Sequence, residues 1–379
     1  MLRFVAAHMA FLFIILTLFV FYNLLILYYW QGWKQIPLFN ASGLAVFENL
    51  TIIIPARDEE NNIGALLTAL QAQTYPHEKI EIIVVDDHST DKTAEIVRQF
   101  ERVKLISLKE DAINSYKKKA IESGISAAST ELIITTDADC IPRPDWLKTI
   151  VAFKQSTGAG FIVAPVVFES SPSLVNIFQS LDFMTLQGIT GASVYKKLHA
   201  MCNGANLAYE KKLFDEVGGF AGIDHIASGD DMLLMHKIAK KFPDKIHYLK
   251  SVDATVSTKP MPDWHTFFNQ RIRWTSKATH YNDKRIFWVL LLVYFFNLSF
   301  LALIIAGFVD PFYWLLFAGL WLAKTIVEWP FMYAVAGFFN RKSLMKYFFF
   351  VQPIHIFYTI ISGLLGQMGT YEWKGRRVR

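Results

Sequence analysis

Apolar residues in this chain gather into a few long blocks instead of spreading evenly. Met9 to Trp30 is one stretch without a charge, and a helix needs about 20 such residues to cross a bilayer. Trp30 and Trp33 stand where an interfacial aromatic belt would lie. The stretch is longer than the about 7–15 residues of a signal-peptide core, and no small-residue cleavage site follows it, so it reads as a retained anchor. Ile286 to Val309 and Phe312 to Phe338 are two further spans, separated by the break at Asp310-Pro311. Lys324 and Glu328 interrupt the second of these; four residues apart, they share a helical face and are expected to pair. Tyr347 to Met368 is a third candidate, weakened by Gln352, Pro353 and His355.

Between these blocks the pattern is that of a globular domain. The apolar runs Thr51 to Pro55 and Ile80 to Val85 read as buried strands, and Val103 to Ser107 and Leu132 to Thr136 as a third and fourth strand. Helical spacing follows in Glu59 to Gln73, through Ile96 and Val97 with an N-cap offered by Ser89-Thr90-Asp91, and in Lys117 to Ala128. Strands alternating with helices predict a Rossmann-like α/β domain, a mostly parallel sheet with helices on both faces. The expected layout is an anchor at 1–33, a soluble domain at 34–285 with interfacial helices near 175–195 and 263–283, membrane helices at 286–368 and a basic tail at 369–379.

Composition agrees with a membrane protein. Of 379 residues 53% are hydrophobic and only 19% charged, against roughly 45–50% and about 25% in a typical soluble domain. Cys140 and Cys202 are too few for a disulfide framework and lack zinc spacing. The net charge of +5 is assigned to cytoplasmic loops beside anionic headgroups, not to nucleic acid. The basic loop at Arg341, Lys342 and Lys346 places that side in the cytoplasm. A full final span would then carry Lys374, Arg376, Arg377 and Arg379 to the outside, against the positive-inside rule. A re-entrant last segment turning at Gln352-Pro353 would remove the conflict, and both arrangements stay open. Absence of a cleaved signal and of disulfides fits a bacterial inner membrane.

Candidate chemistry sits at the strand ends, where open α/β sheets bind ligands. Pro55-Ala56-Arg57-Asp58-Glu59, Asp86-Asp87-His88 and Asp137-Ala138-Asp139 follow three strands and should converge. On an extended chain Asp137 and Asp139 would point the same way and repel unless a cation lay between them; hard cations such as Mg²⁺ or Mn²⁺ favour carboxylates and phosphates. The same acids can equally be solvated turns. One of Lys117, Lys118 and Lys119 can reach a phosphate, or the run is a solvated face. Ser228-Gly229-Asp230-Asp231 precedes a helix, offering either a cap or a general base. Gln270-Arg271-Ile272-Arg273-Trp274 reads either as an interfacial helix with snorkelling arginines or as a Trp platform for a sugar with an Arg for pyrophosphate. Neither Gly-x-Gly-x-x-Gly nor a P-loop is present.

Taken in order, Ile-Ile-Pro-Ala-Arg-Asp-Glu-Glu, Val-Asp-Asp-His-Ser-Thr-Asp, Asp-Ala-Asp, Gly-Asp-Asp and Gln-Arg-Ile-Arg-Trp resemble the membrane-embedded branch of the inverting family 2 glycosyltransferases. That branch has a GT-A fold and includes cellulose, chitin, hyaluronan and poly-N-acetylglucosamine synthases and ceramide glucosyltransferases. The resemblance covers about residues 50–285. It implies a nucleotide-sugar donor, by family habit UDP-linked, held by Pro55, Ala56, Arg57, Glu59, Asp86, Asp87, Lys117 and Asp137. It implies Mg²⁺ or Mn²⁺ on Asp137 and Asp139, and Asp231 as general base. It places Asn203, Gly204, Asp230, Gln270, Arg273 and Trp274 at acceptor and pyrophosphate. The branch usually has Glu before the base where this chain has Asp230. The tail from Tyr371 to Arg376 also resembles the W-[KR]-G-R ending of lipid glycosyltransferases. The small number of spans favours a membrane-lipid acceptor, guided by a 175–195 helix bearing Phe178, Leu181, Phe183, Met184 and Leu186. The Gln270–Trp274 motif, commonest in processive enzymes, favours the alternative, a growing polysaccharide. With every candidate carboxylate present, a silent binding protein is disfavoured.

Overall fold

The computed structural model describes residues 2–45, 47–110, 115–276, 283–366, 371–373 and 376–378. The chain forms two compact units. One comprises 1–35, 171–192 and 261–369, the other 36–170, 193–260 and 370–379. Helices are numbered α1 (Leu2–Gln35), α2 (Ile63–Gln71), α3 (Thr93–Val97), α4 (Tyr116–Ala127), α5 (Trp146–Thr157), α6 (Leu174–Lys196), α7 (Lys211–Glu216), α8 (Asp230–Lys241), α9 (Trp264–Thr275), α10 (Lys284–Gly307), α11 (Phe312–Phe338) and α12 (Phe348–Leu365).

The second unit is built on β1 (Leu50–Ala56), β2 (Ile80–Asp86), β3 (Val103–Ser107) and β4 (Leu132–Thr135), joined by β5 (Cys140–Pro142), β6 (Phe161–Val163), β7 (Val166–Phe168), β8 (Leu207–Glu210), β9 (Ile246–Tyr248) and β10 (Val256–Thr258). Seven of these make one sheet in the order β3-β2-β1-β4-β8-β6-β9. β1, β2, β3 and β4 are mutually parallel, as their continuous apolar runs predict. β8 alone runs the other way, antiparallel to both β4 and β6. A three-stranded sheet, β5-β10-β7, stands beside it. Ile52, Ile53 and Ile54 of the central β1 are wholly buried. α4 packs on this strand at Gly124, where an added Cβ would come within 2.6 Å of Ile53 Cγ2, so the close seat of helix on sheet requires glycine.

The other unit is helical. α1, α10, α11 and the segment Lys342–Leu365 are long and apolar enough to cross a membrane. Tyr22 of α1 stacks on Phe296 of α10 at 4.3 Å, and Trp33 meets Phe338 of α11 edge-on. Lys324 and Glu328 pair at 2.7 Å, as their spacing predicts. Gln352 of α12 accepts from Lys324 and donates to Glu328, and the Tyr22 hydroxyl also donates to Glu328. Intramembrane charge is thereby satisfied inside the helix cluster.

α12 runs unbroken through Gln352 and Pro353, so the turn expected there does not occur. The helix expected near 175–195 is α6, and that near 263–283 is α9 as far as Thr275; residues 277–282 lie outside the described residues. Tyr371–Trp373 (β11) and Arg376–Val378 (β12) pair as an antiparallel ribbon. Lys374, Gly375 and Arg379 of the expected basic tail lie outside the described residues.

Candidate active site

The ends of β1 and β2 are laced together. β1 stops after Ala56, whose carbonyl accepts the Asp87 N–H at 2.8 Å. Arg57 Nη1 donates to the carbonyls of Asp87 (2.8 Å) and His88 (3.3 Å). Asp58 and His88 both take the left-handed backbone, with φ of 49° and 53°, a conformation uncommon outside glycine and asparagine-like residues. Asp58 accepts from the Thr90 N–H, Glu59 N–H donates to Thr93 Oγ1, and Asp91 accepts the Thr93 N–H. Asp86 and Asp87 are buried. Asp86 accepts from the Ser89 N–H and Asp87 pairs with His88 Nδ1. The Arg57, Asp86 and Asp87 side chains are therefore fixed in one corner, and Pro55 and Ala56 form its backbone wall.

The Asp137–Asp139 segment departs from expectation. The strand ends at Thr135, and Cys140 N–H donates to the Asp137 carbonyl at 3.2 Å. The two aspartates thus sit on a tight turn between β4 and β5, not on extended chain. Asp139 accepts from Thr258 Oγ1. Burial, with the Asp137 and Glu59 carboxylates nearby, pushes the Asp139 carboxyl up to about 6. Carboxylates crowded in this way suit a divalent cation, which favours their charged form and takes hard oxygen ligands. Among the described residues no cluster of three or more His, Cys, Asp or Glu is placed to hold a metal by protein ligands alone.

The lysine run resolves into three roles. Lys117 reaches Asp137 at 2.6 Å and Asp230 at 3.4 Å. Burial works against its charge, but Asp137 and Asp230 outweigh it and hold the ammonium well above the ordinary lysine range. Lys118 is buried and donates to the carbonyls of Ile226 and Ser228, fixing the loop ahead of Gly229. Lys119 pairs with Glu110 and Glu122 at the surface. The role of Lys118 was not read from sequence; nothing in a three-lysine run marks which one is buried.

α8 begins behind that loop. Gly229, with φ of 81°, caps it, and only glycine takes that backbone at little cost. Asp231 accepts the Gly204 N–H at 2.9 Å and the Met232 N–H at 2.7 Å, which fixes the carboxylate plane. A Cβ on Gly204 would lie 3.2 Å from Asp230 Oδ2, 3.5 Å from Asp231 Cβ and 3.5 Å from Lys117 Nζ. Lys117, Asp137, Asp230, Asp231 and Gly204 thus form one cluster. Asn203 turns the loop by accepting the Ala205 N–H. Asn206, wholly buried, accepts from Trp146 Nε1 and donates to the Pro165 and Ala254 carbonyls. It ties together three separate stretches of the scaffold.

Gln270, Arg273 and Trp274 are on α9 in the helical unit. The Arg271 between them does not snorkel. It is buried and bound to Asp182 of α6 at 2.7 Å.

A mostly parallel sheet whose strand ends carry acid pairs against a lysine defines the class. Residues 51–218 match the model described as Glycosyl transferase family 2. It is 25% identical over 233 residues to the probable glycosyltransferase YdaM of Bacillus subtilis, covering 59% of this chain and 54% of that protein. It is 30% identical over 154 residues to the 4,4'-diaponeurosporenoate glycosyltransferase of Staphylococcus aureus, 40% of each chain. The chain thus spans about half the length, or less, of these curated relatives. Among solved structures, a mannosyltransferase, PcManGT from Pyrobaculum calidifontis in complex with GDP-Man and Mn2+, shares the fold with a TM-score of 0.62 and 19% identity over 94% of this chain and 98% of that one.

Proposed function

We propose that this protein is an inverting glycosyltransferase that moves a sugar from a nucleoside-diphosphate sugar to a membrane-lipid acceptor, with its catalytic domain in the cytoplasm. The observation that carries the reading is the Lys117 ammonium held between Asp137 and Asp230 beside Asp231. A cation among three carboxylates is placed to exchange one of them for a diphosphate when one enters. Arg57, Glu59, Asp86 and Asp87 would receive the nucleoside end of the donor, and Gln270, Arg273 and Trp274 the acceptor and pyrophosphate. Asp139 and Asp137 would hold Mg²⁺ or Mn²⁺, which supplies charge stabilisation of the departing diphosphate.

The chemistry follows from the charges. The acceptor oxygen forms a bond to C1 of the sugar as the C1–O bond to the diphosphate breaks, and the anomeric centre inverts. Asp231, oriented by two backbone N–H groups, takes the acceptor hydroxyl proton. The diphosphate leaves with the bonding pair, and Lys117 meets its growing negative charge. A lipid acceptor is supported by the few long apolar helices and by the Staphylococcus relative, whose name gives a single compound and not a polysaccharide.

The test uses purified protein in lipid nanodiscs with Mg²⁺ or Mn²⁺, radiolabelled UDP- and GDP-sugars and total membrane lipid. Label extracted into the organic phase is the expected result. Label in an aqueous, high-mass, glycosidase-sensitive product would replace the lipid reading with a polysaccharide synthase.

A further inference from the structure

Arg271, the charged residue of the α9 motif given no role above, has closely defined surroundings. The residue is 2% exposed. Nε and Nη2 both donate to Asp182 Oδ2, at 3.1 and 2.7 Å, and Nη1 donates to Gln270 Oε1 at 2.9 Å. The same group lies 4.1 Å from the Trp274 ring centre and 4.7 Å from that of Phe267. One buried side chain therefore touches both Gln270 and Trp274. Its anchor is itself anchored, because Asp182 Oδ1 accepts the Tyr358 hydroxyl of α12 at 2.9 Å.

α12 carries polar groups along its length that serve this end. Gln352 ties its first half to α11. Tyr358 ties it to Asp182 of α6, and the Ser362 carbonyl accepts from Thr275 at the end of α9. Gln179 of α6 meanwhile pairs both ways with the backbone of Met261, just ahead of α9. A buried ion pair adds little net stability over an apolar substitute, since desolvation offsets its attraction. What it supplies is direction, and a planar guanidinium gripped along one edge and flanked by two rings has little freedom to rotate.

We infer that Tyr358, Asp182 and Arg271 form a positioning relay that sets the orientation in which α9 presents Gln270 and Trp274. The relay rests on the proposed function for the consequence it has on transfer, but not for its existence. Tyr358 and Asp182 are positioning residues acting through Arg271. The C-terminal apolar helix thereby serves as a brace for the motif helix as well as a membrane element.

The experiment compares the full-length protein in nanodiscs with Tyr358→Phe, Asp182→Asn and the double variant. Three readouts are taken: amide hydrogen exchange over residues 264–275, the rate of sugar transfer, and binding of UMP and GMP, which lack the second phosphate and the sugar. Tyr358→Phe keeps the ion pair and removes one hydrogen bond, so exchange in α9 should quicken and kcat fall about three- to tenfold, with monophosphate affinity within about twofold. Asp182→Asn should cost more, and adding Tyr358→Phe to it should cost less than about twofold further, because the two act through one path. The relay is overturned if Tyr358→Phe leaves α9 exchange unchanged, if the two losses multiply in full, or if monophosphate binding weakens in step with kcat. A wild-type protein that transfers no sugar would defeat the proposed function instead. The exchange data and their non-additivity would then decide the relay alone.

Discussion

Single charged side chains in this protein are worth what their neighbours make them. Lys118 and Lys119 are adjacent, yet one is buried against two carbonyls and the other is at the surface beside two glutamates. Lys118→Met should lower stability by about 1–3 kcal/mol, the cost of leaving buried carbonyls without a donor. Lys119→Met should change it by less than about 0.5 kcal/mol. Thermal unfolding of the two variants checks this, and equal effects would refute the assignment. Lys250 gives a pH dependence. It is buried, donates to the Ile36 carbonyl, and its ammonium is pulled down by burial to about 8 from an ordinary value of 10.5. Between those values the unfolded chain binds the proton more than the folded one, so stability rises with pH across that window and is depressed below it. Melting of the wild type from pH 7.5 to 10 should show the rise, and Lys250→Met should flatten it. The candidate site was legible at this scale wherever an acid follows an apolar run, as at Asp86, Asp87 and Asp137. It was not legible where burial decides the role. Arg271 reads as a surface charge because its partner Asp182 is far away in sequence.

Elements were legible in proportion to their length. β1 and β2, each seven residues and mostly apolar, announce themselves as central parallel strands. β5, β6, β7, β9 and β10 have three residues each, too few to establish a period. β8 likewise gives no sign that it reverses direction within the sheet. The turn at Asp137–Asp139 was misread as extended chain because three residues of sequence cannot distinguish a strand end from a turn. Among the long helices, α11 offers a test. Lys324→Met leaves Glu328 buried against Tyr22 and Gln352 without its cation, at a cost of about 3–5 kcal/mol. Replacing Lys324 and Glu328 together by Met should cost less than the single change. Unfolding of both variants in nanodiscs measures the difference, and a double variant weaker than the single would contradict the clasp.

At the scale of the whole molecule, the path of the last apolar segment decides where the basic tail emerges. The later half of α12 is fastened to α6 and α9, through Tyr358 with Asp182 and Ser362 with Thr275, and neither α6 nor α9 is a candidate span. A re-entrant α12 would start and finish at one face of the membrane, whereas a full span would end at the other. A 3-10 turn at Lys342–Tyr347 precedes α12, which runs unbroken through the Gln352-Pro353 position expected from sequence. The re-entrant path would satisfy the positive-inside rule for the tail, and the full span would not. A reporter fused at the C-terminus should share the compartment of one inserted after Asn340; opposite compartments would make the last segment a full span.

The central claim is that Asp231 takes the acceptor proton and is not itself needed to hold the donor. The most direct measurement compares sugar transfer and nucleotide-sugar binding in wild type and Asp231→Asn, both in nanodiscs with Mg²⁺ or Mn²⁺. Transfer should fall by at least about a hundredfold, about 2.7 kcal/mol in barrier, while donor affinity stays within about threefold. A variant that keeps more than about a tenth of the wild-type rate, or one that loses transfer only because it no longer binds donor, would contradict the account.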